Sequence, residues 1–162
     1  DKSRSIEAVK AERRERLFQL FEKEAPDVFV VELYPFGRKA FRFELDPVLE
    51  GIRNGALNRS RVVCSIRDIL VEKKDPVAYE KRVVDILNRR YDLLLIHADP
   101  KLVGLDRTFS RLGDITIPVI YTGFITPAPP SGAGGRTRAG LPTTSPRAIC
   151  LRHRPGGSRG WL

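Results

Sequence analysis

Four short apolar runs recur along the chain, separated by longer stretches that mix apolar and charged residues. The runs cover residues 27–33, 61–66, 92–98 and 116–123 and are rich in Val, Ile and Leu. Continuous apolar runs of this length are typical of strands that a parallel sheet buries on both faces. The pattern therefore predicts four parallel β-strands.

The stretches between the runs show the spacing of amphipathic helices. Apolar residues recur three or four positions apart within residues 5–23 and within residues 41–52. The second of these segments contains Pro47, which either kinks one helix or, with Asp46 as its N-cap, starts another. Residues 75–90 begin with Asp-Pro, a typical helix start, and a short helix or turn is predicted for residues 102–112.

Strands that alternate with helices predict an α/β fold, with a Rossmann-like parallel sheet and helices on both faces. One helix and four strands amount to only part of a doubly wound domain. We therefore expect residues 1–126 to form a partial Rossmann-like domain that lacks its first strands. Because the chain starts at Asp1 and contains no methionine, we expect it to be a piece of a longer protein.

The composition changes after residue 126. Residues 127–162 carry six Arg, no acidic residue, 7 of the 13 Gly and 6 of the 12 Pro. The net charge of +9 is concentrated there, since residues 1–126 hold 23 basic and 20 acidic residues. A segment of this composition buries too little apolar surface to offset its ordering entropy. We expect residues 127–162 to be a disordered Arg/Gly/Pro-rich tail.

Several origins of the tail stay open. A basic, glycine-rich segment binds RNA or acidic lipid in some proteins, although we expect no nucleic-acid partner here. The other interpretations are a linker or the product of a shifted reading frame.

Two cysteines do not form a disulfide framework, and the sequence shows no membrane-spanning run or secretory signal. These features predict a reduced, cytoplasmic setting.

Polar side chains collect at the carboxyl ends of the predicted strands, where open parallel sheets bind their ligands. They are Glu32, Tyr34, Gly37, Arg38 and Lys39 after the first strand, Ser65, Arg67 and Asp68 after the second, His97, Asp99 and Pro100 after the third, and Tyr121, Thr122 and Gly123 after the fourth.

Several of these residues have two interpretations. Glu32 either contacts a ligand or forms a structural ion pair with Arg38 or Arg67. His97 is either a general base, because its ordinary pKa of about 6.5 suits proton transfer near neutrality, or a hydrogen-bonded histidine at the rim. Gly37, with its basic neighbours, either forms an anion site from free backbone N–H groups or is a helix entry turn.

Common catalytic and nucleotide-binding motifs are absent. The sequence has no Walker loop, no GxGxxG motif after a strand, no GxSxG elbow and no Cys/His set at metal-ligand spacing. No metal or cofactor is therefore expected. The residues alone predict an α/β domain with a polar crevice for an anionic ligand.

Longer phrases give the chain a family resemblance. ELYPFGRKAFRFELDPVL begins at residue 32, CSIRDILVEK at residue 64, YEKRVVDILNRRYDLLLIHADP at residue 79 and YTGFI at residue 121. Over residues 15–126 these phrases resemble the N-terminal domain of predicted bacterial glycosyltransferases related to the MurG type, of the two-domain GT-B architecture. Residues 1–126 would then be an incomplete N-terminal half of that architecture.

The resemblance implies an activity. In GT-B enzymes the N-terminal domain receives the acceptor and the C-terminal domain binds a nucleotide-sugar, usually a UDP-sugar, without a metal or cofactor. The parent enzyme would transfer the sugar to an acceptor hydroxyl and associate peripherally with a membrane. The tail resembles no donor domain, which favours the shifted reading frame, and we expect this chain alone to be inactive. The alternatives are a basic-tailed nucleic-acid binder and a non-catalytic interaction domain.

The resemblance also implies roles for the residues at the strand ends. Glu32 and Tyr34 would point into the cleft, Gly37 would allow a tight turn, and Arg38 would meet an anionic acceptor group or Glu32. The adjoining wall would consist of Ser65, Arg67 and Asp68. The candidates for deprotonating the acceptor hydroxyl are His97 and Asp99.

Overall fold

The structure is a computed structural model of the 162-residue chain. It describes residues 5–67, 75–102, 104–124 and 148–151, the last of these by their backbone only. The helices are α1 Ile6–Glu24, α2 Arg42–Asn54 and α3 Pro76–Arg90. The strands are β1 Val28–Glu32, β2 Arg61–Arg67, β3 Leu93–His97, β4 Val119–Tyr121 and β5 Ala148–Leu151.

The strands form one parallel sheet in the order β4-β3-β2-β1-β5. Strands β1 to β4 are neighbours in the sheet in the same order as in the chain. Parallel neighbours need a crossover connection, and α2 and α3 form the crossovers after β1 and β2. The predicted α/β, Rossmann-like fold with a parallel sheet flanked by helices is confirmed. None of the helices in the described part of the chain is long and apolar enough to cross a membrane.

Local sequence signals set the ends of two helices. The Ser5 hydroxyl accepts a hydrogen bond from the Ala8 N–H at 3.1 Å, and α1 follows it. The Asp75 carboxylate likewise accepts from the Ala78 N–H at 3.1 Å, with Pro76 at the first helical position. These caps satisfy N–H groups that have no partner within the helix.

Pro47 lies inside α2, which is one continuous helix from Arg42 to Asn54. Of the two interpretations of Pro47, a second helix starting at Asp46 is therefore wrong. The Asp46 carboxylate does not cap a helix; it accepts hydrogen bonds from Tyr34 and Arg42 and pairs with Arg90. These three partners explain why a carboxylate is placed within the helix.

The core lies between the helices and one face of the sheet. Phe21 of α1 packs edge-on against Phe29 of β1, with ring centroids 5.3 Å apart. Along β1 the side chains of Phe29 and Val31 are buried while Val28, Val30 and Glu32 remain partly exposed, and β3 shows the same alternation. The side chains of Glu32, Ser65 and His97 therefore belong to the less covered face of the sheet.

The short helix or turn predicted before β4 is confirmed, whereas the tail differs from its predicted form. Within the predicted segment 102–112, and just beyond it, the chain forms two 3₁₀ turns, Leu105–Arg107 and Leu112–Asp114. The expected tail contains strand β5, which pairs with β1 from Val28 to Val31. Sequence reasoning missed this strand because its four residues lie within a Gly/Pro-rich context; the other tail residues lie outside the described ones.

Candidate functional site

His97 lies between two hydroxyl groups at the carboxyl ends of the strands. Its Nε2 is 2.8 Å from Ser65 Oγ on β2, and its Nδ1 is 2.7 Å from Thr122 Oγ1, just after β4. The Thr122 N–H also donates to the Ile96 carbonyl at 2.9 Å, which fixes the residue next to β3. Three strand ends thus build one hydrogen-bonded chain of side chains.

The hydrogen bonds of Thr122 indicate which nitrogen of His97 carries the proton. Thr122 Oγ1 lies 3.1 Å from the Gly123 carbonyl oxygen and 3.4 Å from that of Ile96, and a carbonyl only accepts. We assign the single hydroxyl proton to these carbonyls, so that Thr122 accepts from Nδ1–H of His97. Nε2 then holds the free lone pair and accepts from the Ser65 hydroxyl.

The surroundings of His97 favour its neutral form. Burial lowers the pKa of His97 below its usual 6.5, the positive charge of Arg67 lowers it further, and the negative charge of Glu32 opposes both. Arg67 is the register partner of His97 in the β2–β3 ladder. At neutral pH the imidazole is therefore unprotonated and available as a base.

Glu32 forms an ion pair with Arg38, at 3.2 Å between Oε2 and Nη2. Of the two basic partners considered for Glu32, the structure shows Arg38. Glu32 also pairs in register with Ser65, so the Arg38 guanidinium sits beside the polar end of the sheet. Both side chains of the pair are about one quarter exposed, which leaves them accessible to a ligand.

The segment after β1 makes a tight turn. Leu33 has a left-handed backbone with φ 69°, and its N–H donates to the Ser65 carbonyl at 2.8 Å. The Gly37 N–H donates to the Leu33 carbonyl at 2.8 Å, and the Tyr34–Pro35 peptide bond is cis. Of the two interpretations of Gly37, the turn that leads into a helix is supported, whereas an anion site built from its N–H is not, because that N–H is already bonded to Leu33.

Gly37 is required for another reason. A Cβ at position 37 would lie 2.9 Å from Cγ and Cδ2 of Leu33. The left-handed conformations of this turn occur at Leu33 and Arg38, the latter with φ 53°, and not at Gly37. The glycine therefore provides space for the Leu33 side chain rather than an unusual backbone angle.

Tyr34 does not point into the cleft, so that prediction is wrong. The ring is buried, with 3% of the residue exposed, and its hydroxyl donates to Asp46 Oδ1 of α2 at 2.6 Å. Burial, together with this hydrogen bond to a carboxylate, raises the pKa of Tyr34 well above 10. The turn places the Tyr34 ring on the helix side of the sheet, where it belongs to the core.

Asp99 makes no side-chain hydrogen bond to His97, Ser65 or Thr122. Asp99 Oδ1 accepts from the backbone N–H of Lys101 at 2.9 Å and its carbonyl from Leu102, which stabilises a turn after β3. Asp68 lies outside the described residues. Of the two candidate bases, His97 is the one whose geometry suits proton transfer.

Two surface concavities bear on ligand binding. A broad groove of about 1310 Å³ lies at the amino ends of the strands, where Arg53 pairs with Asp92 at 3.0 Å. Open parallel sheets bind their ligands at the carboxyl ends of the strands, so this groove lies at the opposite end from the expected ligand crevice. A second cavity of about 390 Å³ lies beside Arg38, between the turn after β1 and helix α3.

The second cavity contains residues that sequence reasoning did not select. Tyr79 and Arg82 of α3 form one wall, and the turn after β1 forms the other. Only the packing of α3 against this turn brings them together, so no local pattern reveals them. Thr122 was noted at its strand end but was given no role; its bond to His97 likewise depends on the strand order.

The described residues contain no group of three or more His, Cys, Asp or Glu side chains that could hold a metal ion. Comparison of the chain with protein-family models, curated proteins and solved structures found no match. The glycosyltransferase resemblance thus rests on the sequence phrases alone.

Proposed function

We propose that this chain is the acceptor-side domain of a GT-B type glycosyltransferase and that His97 is its general base. The observation that carries the proposal is the neutral imidazole of His97, whose Nε2 faces a hydroxyl group at the carboxyl end of a parallel sheet. The phrases that resemble such enzymes surround this histidine on both sides.

In the proposed reaction His97 accepts a proton. The acceptor hydroxyl loses its proton to Nε2 of His97 while its oxygen forms a bond to the anomeric carbon of the sugar. The bond between that carbon and the nucleotide diphosphate breaks, and the diphosphate leaves with the bonding electrons. Thr122 keeps Nδ1 protonated, so the lone pair of Nε2 remains directed at the reacting hydroxyl.

Ser65 places its hydroxyl where an acceptor hydroxyl would meet Nε2 of His97. Its Oγ lies at hydrogen-bond distance from Nε2, which is the distance that a base requires. An incoming acceptor hydroxyl either takes this position or passes its proton through Ser65. The nucleotide-sugar would be bound by a second domain, so the chain alone is expected to bind an acceptor without turnover.

The test compares variants of a two-domain protein in which this domain is joined to a donor domain. UDP-glucose, UDP-N-acetylglucosamine and UDP-galactose are supplied with a bacterial lipid extract as acceptor, and the release of UDP is measured. His97→Gln is expected to lower kcat by at least about 100-fold with KM nearly unchanged, because only a proton transfer is lost. Lys101→Gln, an exposed substitution nearby, should leave kcat unchanged.

Unchanged UDP release in His97→Gln would remove His97 from the role of base. Failure of all three UDP-sugars to turn over would count against the transferase itself. UDP release from the isolated chain would contradict the assignment of the donor to a second domain.

The contact between Ser65 and His97 also favours a second candidate, a serine hydrolase. Ser65 Oγ donates to a histidine nitrogen whose other nitrogen is held in place, as in a nucleophile and base pair. However, Ser65 lies inside strand β2 rather than on an exposed turn, and the third group is Thr122 rather than a carboxylate. A fluorophosphonate probe separates the two candidates, because only an activated nucleophile would be labelled at Ser65.

A further inference from the structure

We infer that the 390 Å³ cavity beside Arg38 is a binding site for a phosphate-class anion, a phosphomonoester or a diphosphate. Its lining consists of Pro35, Phe36, Gly37, Arg38, Lys39, Tyr79 and Arg82. The volume lies within the range of about 300–1,000 Å³ that is usual for small-molecule sites. We call it the turn cavity.

The charge of the turn cavity is strongly positive. Its lining includes Arg38, Lys39 and Arg82 and no acidic residue. No carboxylate among the described residues forms an ion pair with Lys39 or Arg82, and Arg38 has one, Glu32. Three cations on one concave surface attract an anion and repel one another in its absence.

Arg38 has an unused donor. Its Nε is shielded from solvent and meets no hydrogen-bond acceptor among the described residues. A buried N–H without an acceptor costs free energy, and a bound anion relieves that cost when the guanidinium turns toward it. The existing hydrogen bond from Nη2 to Glu32 is 3.2 Å long, which is longer than a strong charge-assisted bond. A phosphate oxygen at shorter distance would therefore bind this guanidinium more strongly than Glu32 does.

Tyr79 prepares the opposite wall of the turn cavity. Its hydroxyl donates to the Phe36 carbonyl at 2.7 Å, so the negative end of that carbonyl is already satisfied and repels an anion less. Burial raises the pKa of Tyr79 to about 12, so the hydroxyl stays neutral at physiological pH. The Arg82 guanidinium lies 5.8 Å from the centre of the Tyr79 ring, a cation–π contact that positions it.

The positive surface continues beyond the turn cavity. A neighbouring cavity of about 480 Å³ shares Lys39 and adds Lys10 and Arg42 to its lining. Its acidic residue, Asp46, already pairs with Arg42 at 2.8 Å and with Arg90 at 2.6 Å. A ligand with two phosphate groups therefore finds cations on both sides of Lys39.

The site also has a place in the proposed reaction. Arg38 reaches the polar crevice through Glu32, the register partner of Ser65. An acceptor anchored by its phosphate in the turn cavity would extend its hydroxyl toward His97. This anchoring rests on the proposed function, whereas anion binding in the turn cavity does not, and the two are tested separately.

The experiment is a titration of the ¹⁵N-labelled chain with inorganic pyrophosphate at constant ionic strength. We expect saturable shifts of the Gly37, Arg38 and Lys39 amides and of the Arg38 Nε–Hε signal. Arg82→Gln and Lys39→Gln should each weaken binding about tenfold, the effect of losing one charge-assisted contact. Arg89→Gln, the same change of charge on the same helix but outside the cavity lining, should alter the Kd by less than twofold.

The proposal is overturned if no saturable shift appears at these residues, or if Arg89→Gln weakens binding as much as Arg82→Gln, which would indicate a general effect of net charge. Lys39 is exposed, so its variant tests the site even if Arg82→Gln unfolds the chain. A parallel titration with geranyl diphosphate distinguishes the source of the anion. Binding at least tenfold tighter than pyrophosphate assigns a lipid diphosphate, and equal binding assigns the free anion; both support the site.

Discussion

Ser65 Oγ contacts His97 Nε2 across the β2–β3 ladder, although the two residues are not register partners. Ser65 pairs in register with Leu95, and His97 with Arg67. The contact is diagonal, between side chains that point to the same face of the sheet because each lies two positions from the other's partner. The parallel sheet thus places a hydroxyl at the nitrogen that holds the lone pair.

The charges around His97 should move its pKa in opposite directions. Arg67→Gln removes a positive charge and is expected to raise the pKa of His97, whereas Glu32→Gln is expected to lower it further below 6.5. The measurement is the chemical shift of the imidazole C2–H proton as a function of pH. The chain has two histidines, so the signal of His153 serves as an internal reference. A normal pKa of His97 in the wild-type chain would contradict the lowering of its pKa by partial burial and by Arg67.

The stability of the chain should fall as the pH falls through about 6.5. The pKa of His97 is lower in the folded chain than in the unfolded one, so the unfolded state binds more protons between the two values. The free energy of unfolding therefore decreases as the pH falls from 6.5 to the pKa of His97 in the folded chain. Below that pKa, the titration of His97 changes the free energy of unfolding no further. Urea unfolding at several pH values measures this dependence.

His97→Gln is the control for the pH dependence. The difference in free energy of unfolding between wild type and His97→Gln isolates the histidine, because carboxylates that titrate at lower pH are common to both. We expect this difference to change across the window below 6.5. A difference that is constant with pH would show that His97 titrates alike in both states.

Gly37→Ala should destabilise the fold by steric conflict with Leu33. The added Cβ would meet Leu33 at 2.9 Å, and such overpacking costs about 1–3 kcal/mol. Because the neighbour is a side chain, Leu33→Ala should relieve most of this cost, so the double variant should be less destabilised than the sum of the two single variants. Urea unfolding of the wild type, the two single variants and the double variant measures this departure from additivity.

Gly113→Ala is the matched control for the glycine substitution. A Cβ at position 113 has open space around it, and the change should alter stability by no more than about 0.5 kcal/mol. Additive effects of Gly37→Ala and Leu33→Ala would show that the two residues do not conflict.

Glu80→Ala should loosen the connection between β3 and β4. The buried Glu80 carboxylate accepts from the Ser110 N–H at 3.1 Å, the Ser110 hydroxyl at 2.5 Å and the Arg111 N–H at 3.2 Å. Removing it should cost about 2 kcal/mol, because these donors lose a charged acceptor. Amide hydrogen exchange should accelerate at Ser110 and Arg111.

Asp85→Ala, an exposed acidic substitution on the same helix, provides the comparison for Glu80→Ala. It should leave exchange at Ser110 and Arg111 unchanged. Equal exchange rates in wild type and Glu80→Ala would mean that the carboxylate does not hold this connection.

Much of the fold was predictable because its signals are local. The cap at Asp75 with Pro76 marks the start of α3, and the apolar runs mark the strands, because both depend on neighbours a few residues away. Pro47 was less predictable, since packing against the sheet keeps α2 continuous despite the lost backbone hydrogen bond. Strand β5 was missed because pairing with β1, rather than its own composition, makes it a strand.

The candidate site was predictable only as a set of strand ends. The sequence by itself determined the α/β class and the collection of polar residues there, since the order of strands and helices and the carboxyl-end rule require no contacts. Only the tertiary structure decided that His97 lies between Ser65 and Thr122, that Arg38 pairs with Glu32, and that Tyr34 turns into the core. Those outcomes depend on register, on the turn after β1 and on the packing of α3, which join residues distant in the chain.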